Sequence, residues 1–180
     1  MAIMPKSTSD QYGTVAVLIH WVSAVLIIIL IVSGFRAAGT VDPAAKAVIL
    51  RAHVPIAIAV LTLTLLRIVW WFGFDQKPDP VAGAPRWQER TAWVVHVLFY
   101  VVILGMIASG IGMIALSGAA PLIFGGESAP LPDFWKYSPR LPHAIGARLL
   151  IALLMLHVGA ALYHHFVRRD GLLWRMWFST

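Results

Sequence analysis

The sequence predicts an all-α, integral membrane four-helix bundle, a single membrane domain over residues 1–180. Three observations predict it. The chain is 59% hydrophobic and only 12% charged, whereas a water-soluble domain carries about a quarter charged residues. Apolar stretches able to cross a hydrocarbon core of about 30 Å, which takes about 20 helical residues, recur four times. Several of the seven histidines lie inside these stretches or at their ends. Ionisable groups are costly in hydrocarbon, so their presence there points to function.

The spans are expected at about 14–35, 52–74, 92–116 and 142–167. From Gly13 to Phe35 no residue is charged, and the stretch is too long for a signal-peptide apolar region. The second stretch runs from Ala52 to Phe74, interrupted by Arg67 near its end. Pro55 then falls in its first turn, where a missing N–H does little harm. Thr91 to Gly126 is uncharged, but only its first part is expected to span. Gly118, Pro121, Gly125 and Gly126 read as loop or interfacial structure. The fourth stretch starts at Pro142, a good first helical residue, and runs to Val167. Trp70, Trp71, Trp87, Trp93, Trp135, Trp174 and Trp177 fall at span ends or in connections, as in interfacial aromatic belts.

Charge and cysteine content narrow the chemistry. With no cysteine, disulfides, thiolate zinc sites, Cys-ligated iron–sulfur clusters and covalent haem attachment are excluded. The net charge of +6 sits in short connections and tails. Topology and anionic lipid headgroups therefore account for it better than nucleic acid does. With the N-terminus inside, Lys6, Lys77, Arg86, Arg90, Arg168, Arg169 and Arg175 face the cytoplasm, against Arg36, Lys46, Arg51, Lys136 and Arg140 outside. Seven against five favours cytoplasmic termini.

That topology pairs the histidines by depth. His143 and His157 are fourteen residues apart on one span, nearly four turns, so both project from one face. Their axial separation is roughly 21 Å at about 1.5 Å per residue. His20 matches the depth of His157, and His53 that of His143. Each pair joins two helices, as the two axial ligands of a six-coordinate iron must. Reversing the orientation swaps the sides and keeps the pairs. Bis-histidine haem is the expected tenant, because neutral imidazole ligates iron and helical bundles house cofactors. Zinc fits less well, since no buried carboxylate completes a tetrahedral site.

The remaining candidates are secondary. His96 could stand in for His20 opposite His157, but a hydrogen-bonding or structural role is expected. His164 shares the ligand face seven residues beyond His157 and is expected to line a site near the inner haem. His165 points about 100° away and reads as an interfacial anchor. Arg51, Arg67 and Arg148 are candidate partners for haem propionates, with snorkelling the alternative that suits Arg67. Gly34, Gly105, Gly110, Gly112, Gly146 and Gly159 suit close helix packing or a flat macrocycle. No catalytic residue is assigned.

The stretch LPHAIGARLLIALLMLHVGAALYHHFVRRDGLLWRMW, with His20-Trp21 and the RAHVPIA segment, resembles the bacterial-type cytochrome b561 family over almost the whole chain. The resemblance implies a four-helix protein of the bacterial inner membrane with two b haems, on His20 with His157 and His53 with His143. It implies ubiquinone as electron acceptor, with His164 at the position of the polar group near the quinone. It also implies a periplasmic one-electron donor, superoxide being one candidate. A membrane-anchoring cytochrome b subunit of a larger oxidoreductase, such as a hydrogenase or dehydrogenase, is the alternative. A haem-free transporter or anchor is the remaining rival.

Overall fold

The computed structural model describes residues 4–81, 83, 85–125 and 130–178. It is all-helical among these residues, with α1 at Thr14–Gly39, α2 at Pro43–Gly73, α3 at Arg86–Ser117, α4 at Ala120–Phe124 and α5 at Arg140–Tyr163. A π-helical turn, His164–Arg168, prolongs α5, and single 3-10 turns cover Phe134–Lys136 and Leu172–Met176. α1, α2, α3 and α5 with its prolongation are long and apolar enough to cross a membrane. Val25, Ile28 and Val32 of α1 and Met155 and Leu156 of α5 are exposed, as expected of helices whose solvent on one side is lipid.

Two features of α2 differ from the sequence expectation. The helix begins at Pro43, well before Ala52. Asp42 accepts from the Ala45 N–H at 2.8 Å, and proline at the first helical position has no N–H to leave unsatisfied. Pro55 therefore lies inside the helix, not in its first turn. It forfeits the hydrogen bond to the Arg51 carbonyl, and the helix continues through it. Beyond α3, Gly118 takes a left-handed φ of +65°. Pro121 then lies in the first turn of the short α4, not in a loop. Gly126 lies outside the described residues.

The chain divides into two compact units. One comprises Met1–Ala24, Leu63–Tyr100 and Ala152–Thr180. Its polar ends are tied together by a few strong acceptors. The Arg175 guanidinium donates to the carbonyls of Asp10 at 2.7 Å, Ser9 at 3.0 Å and Asp79 at 2.7 Å. Trp21 Nε1 donates to the Met176 carbonyl at 2.9 Å. The Asp75 carboxylate accepts from the Ser7 N–H and hydroxyl and from Trp70 Nε1.

Burial pushes the Asp75 carboxyl up, but the bonds from Ser7, Trp70 and the Gln76 N–H outweigh it and hold it below the usual carboxylate value. A depressed folded-state value gives stability that is present above the unfolded value and lost as pH falls through the folded one. Asp75→Asn is thus expected to cost about 1–3 kcal/mol at neutral pH and to flatten this acid-side loss. Thermal unfolding against pH checks it; an unchanged acid limb in the variant would contradict the assignment.

The other unit comprises Val25–Thr62 and Val101–Ile151. Ala119 and Ile123, beside and within α4, are fully buried there, and Ala37, Ala47 and Val60 are buried with them. Arg51 of α2 fixes α4 by donating from Nε to the Ile123 carbonyl at 2.8 Å.

Candidate functional site

The second unit holds His53 of α2 and His143 of α5. Each ring is held at Nδ1. His53 Nδ1 is 2.8 Å from Ser33 Oγ on α1. The Ser33 hydroxyl also reaches the Leu30 carbonyl at 3.2 Å; with its hydrogen there, its oxygen is free to accept an Nδ1–H. His143 repeats the arrangement on α3. Its Nδ1 lies 3.0 Å from Ser109 Oγ and 3.0 Å from the Met106 carbonyl, while the Ser109 hydroxyl donates to that carbonyl at 2.8 Å. A carbonyl only accepts, so Nδ1 carries the hydrogen and Nε2 keeps its lone pair. That is the tautomer in which Nε2 can ligate a metal.

Glycine stands beside both rings. A Cβ on Gly34 would lie 3.3 Å from His53 Cε1, and one on Gly110 would lie 3.5 Å from His143 Cε1. Sequence reasoning singles out the glycines as small residues but misses the serines. The available signal is the dipeptide Ser-Gly within a span, at Ser33-Gly34 on α1 and Ser109-Gly110 on α3; its third occurrence, Ser117-Gly118, lies at the end of α3. Arg148, a candidate for binding an anion, donates from Nη1 to the Ala144 carbonyl of its own helix at 2.8 Å. Arg51 is engaged on Ile123. Each guanidinium has five N–H donors and keeps some for a further acceptor.

The first unit holds the other pair. The ring centres of His20 on α1 and His157 on α5 are 6.1 Å apart. Two metal–imidazole bonds of about 2 Å plus a ring radius of about 1 Å at either end would place two axial imidazoles roughly 6 Å apart. Phe99 and His96 of α3 meet His157 edge-on, at 5.6 and 5.5 Å. His96 Nδ1 donates to the Ala92 carbonyl at 2.6 Å, the hydrogen-bonding role expected of it.

Of the two courses expected for Arg67, snorkelling is not the one taken: its Nη1 is 3.3 Å from His20 Nδ1. Its Nε is buried without a hydrogen-bond partner among the described residues. Hydropathy marks an arginine near a span end but not which way its long side chain turns, and here it turns inward.

At the end of α5 the π-helical turn carries His164 and His165. His164 Nδ1 is hydrogen-bonded to the Asp170 carboxylate. Burial raises the Asp170 carboxyl, yet the bonds from His164 and the Leu172 N–H, with the charges of His164 and Arg168, hold it below its ordinary value. His165 packs instead against Phe166 at 4.7 Å and Trp174 at 5.9 Å. Among the described residues no group of three or more His, Cys, Asp or Glu could hold a metal ion. Paired axial ligation does not require one.

The model of the family "Prokaryotic cytochrome b561" matches residues 11–179. This chain belongs to the prokaryotic cytochrome b561 family. It is similar to "Cytochrome b561 homolog 1" of Escherichia coli (strain K12), 24% identical over 172 residues that cover 93% of this chain and 97% of that protein. It is also similar to "Probable superoxide oxidase CybB" of Yersinia pestis, 26% identical over 92% of this chain and 95% of that protein. "Cytochrome b562" of Cereibacter sphaeroides is 30% identical over 69% of this chain and 65% of its own length.

Membership in the cytochrome b561 family makes the chain a bacterial membrane protein of electron transfer and implies haem b binding. The residues present suit that group. The two imidazole pairs would offer nitrogen donors, glycines leave room beside the Cε1–Nδ1 edges of His53 and His143, and the orphaned Arg67 Nε would offer a donor to an anion such as a propionate.

Proposed function

We propose that this chain is a di-haem b carrier of the bacterial inner membrane, with both termini cytoplasmic, that moves electrons from a periplasmic one-electron donor to ubiquinone. Superoxide is the candidate donor, in keeping with the name of the Yersinia pestis relative. The observation that carries the reading is the occurrence of two separate histidine pairs, each drawn from different helices. Bound haem supplies a one-electron iron couple at each pair.

The protein's own residues do the rest. His53 and His143 hold the outer group and His20 and His157 the inner one, each presenting a neutral imidazole nitrogen. Arg51, Lys46, Lys136 and Arg140 make the outer connections positive, which draws an anionic donor. On the inner side His164, held at Nδ1 by Asp170, presents Nε2 toward a quinone headgroup. From that position His164 can hand a proton to a quinone oxygen and take another from water at the boundary. Two superoxide anions give up one electron each and leave as dioxygen. Two electrons and two protons convert one quinone to quinol.

The pyridine haemochrome of the purified protein is expected to give two haems per chain. A ratio near one retires one pair, and zero sinks the reading. Superoxide is expected to reduce the haems and added ubiquinone to reoxidise them. His164→Ala is expected to keep both haem spectra and slow that reoxidation by up to about a hundredfold. Unchanged kinetics would return His164 to an interfacial anchor.

A further inference from the structure

The two histidine pairs are chemically alike but are surrounded differently. With Nε2 given to a metal, each Nδ1 of the His53/His143 pair must carry a hydrogen, and an acceptor stands at each: Ser33 Oγ for one, Ser109 Oγ and the Met106 carbonyl for the other. Both serine hydroxyls have spent their own hydrogen on a carbonyl of the preceding helical turn, Leu30 or Met106. With the hydrogens there, both oxygens are free to accept from the imidazoles. At the other pair, the neighbour of His20 Nδ1 is the Arg67 guanidinium, which has no acceptor to offer; when His20 gives Nε2 to a metal, its Nδ1–H finds no support from Arg67, which must turn aside. An acceptor on Nδ1–H fixes the tautomer and the ring orientation. It also makes Nε2 a stronger base, which favours the more positive state of a metal bound there.

We propose that Ser33 and Ser109 are positioning residues that hold His53 and His143 in the metal-binding tautomer and make the haem they carry the lower-potential one of the two. The proposal rests on the bis-histidine reading above. It gives the Ser-Gly repeat a function: on α1 and on α3 the serine orients a histidine ring while the next residue, glycine, leaves room beside it. It also gives direction to the electron path, since an electron accepted at the serine-backed site moves downhill to the site beside Arg67.

The two serines differ in a way that sharpens the test. His143 Nδ1 keeps the Met106 carbonyl if Ser109 is lost, whereas His53 Nδ1 has Ser33 as its partner. Spectroelectrochemical titration of the purified haem-loaded protein resolves the two midpoints. Ser33→Ala is expected to raise the lower midpoint more than Ser109→Ala does. The double variant is expected to favour reduction of that haem by about tenfold, equivalent to about 59 mV for one electron. The higher midpoint stays in place. Electron paramagnetic resonance of the oxidised lower-potential haem shifts as its rings lose their fixed orientation, and Ser33→Thr, which keeps the hydroxyl, restores both readouts.

Two haems with an unmoved lower midpoint in the double variant would overturn this proposal alone. So would an equal shift of both midpoints, or threonine behaving as alanine. If the alanine variants shed that haem, its retention by Ser33→Thr supports the proposal and its loss from Ser33→Thr overturns it. A wild-type protein with no haem at His53 and His143 overturns the di-haem reading, and this proposal falls with it.

Discussion

Replacing His157 with alanine is expected to remove one haem of two and leave the other in place, and His143→Ala to do the converse. The two side chains sit on one helix but serve different pairs. His157 meets His20, His96 and Phe99, while His143 meets Ser109, Met106 and Gly110. No described residue among these is shared. Loss of one axial nitrogen removes half of the ligation at its own site and nothing at the other. Low-temperature absorption spectra with haem quantitation read the outcome. Equal loss of both haems from either variant, with helix content intact, would contradict the assignment of the pairs.

A comparable effect is expected from one methyl-sized gap. At Gly34 a Cβ would approach His53 Cε1 to 3.3 Å, a distance the ring can meet by moving a few tenths of an ångström. Gly34→Ala is thus expected to keep both haems. Gly34→Leu adds three further carbons on the same vector, and overpacking of this kind costs about 1–3 kcal/mol or displaces the obstacle. The obstacle is the imidazole, whose displacement breaks its bond to Ser33 and its aim at the metal. The His53/His143 haem is therefore lost and the His20/His157 haem kept. Gly105→Leu is the control, because nothing lies within 4 Å of a Cβ there. Retention of both haems by Gly34→Leu would show that the ring has slack and end the argument from close approach.

Much of this fold is legible in the amino-acid sequence, because a bilayer imposes a simple rule. Every backbone polar group must be satisfied within its own segment, so long apolar runs become helices with little dependence on their neighbours. The four long helices and their approximate positions follow from that rule. Helix periodicity likewise puts His143 and His157 on one face. The rule is insensitive to helix ends that lie outside the hydrocarbon. α2 therefore begins at the Asp42–Pro43 cap, where hydropathy gives no signal, and Pro55 becomes an interior residue.

The sequence by itself determined the membrane class, the helix count and the supply of imidazole ligands, since each depends on composition and local periodicity. The tertiary structure decided what touches each imidazole: serine oxygens on His53 and His143, a guanidinium on His20, a carboxylate on His164. Those partners come from other helices or from beyond a turn, at sequence separations of 20, 34 and 47 for Ser33, Ser109 and Arg67. A hydrogen bond depends on ångström-scale placement of both groups. Hydropathy fixes only the side of a helix and the depth at which a residue lies.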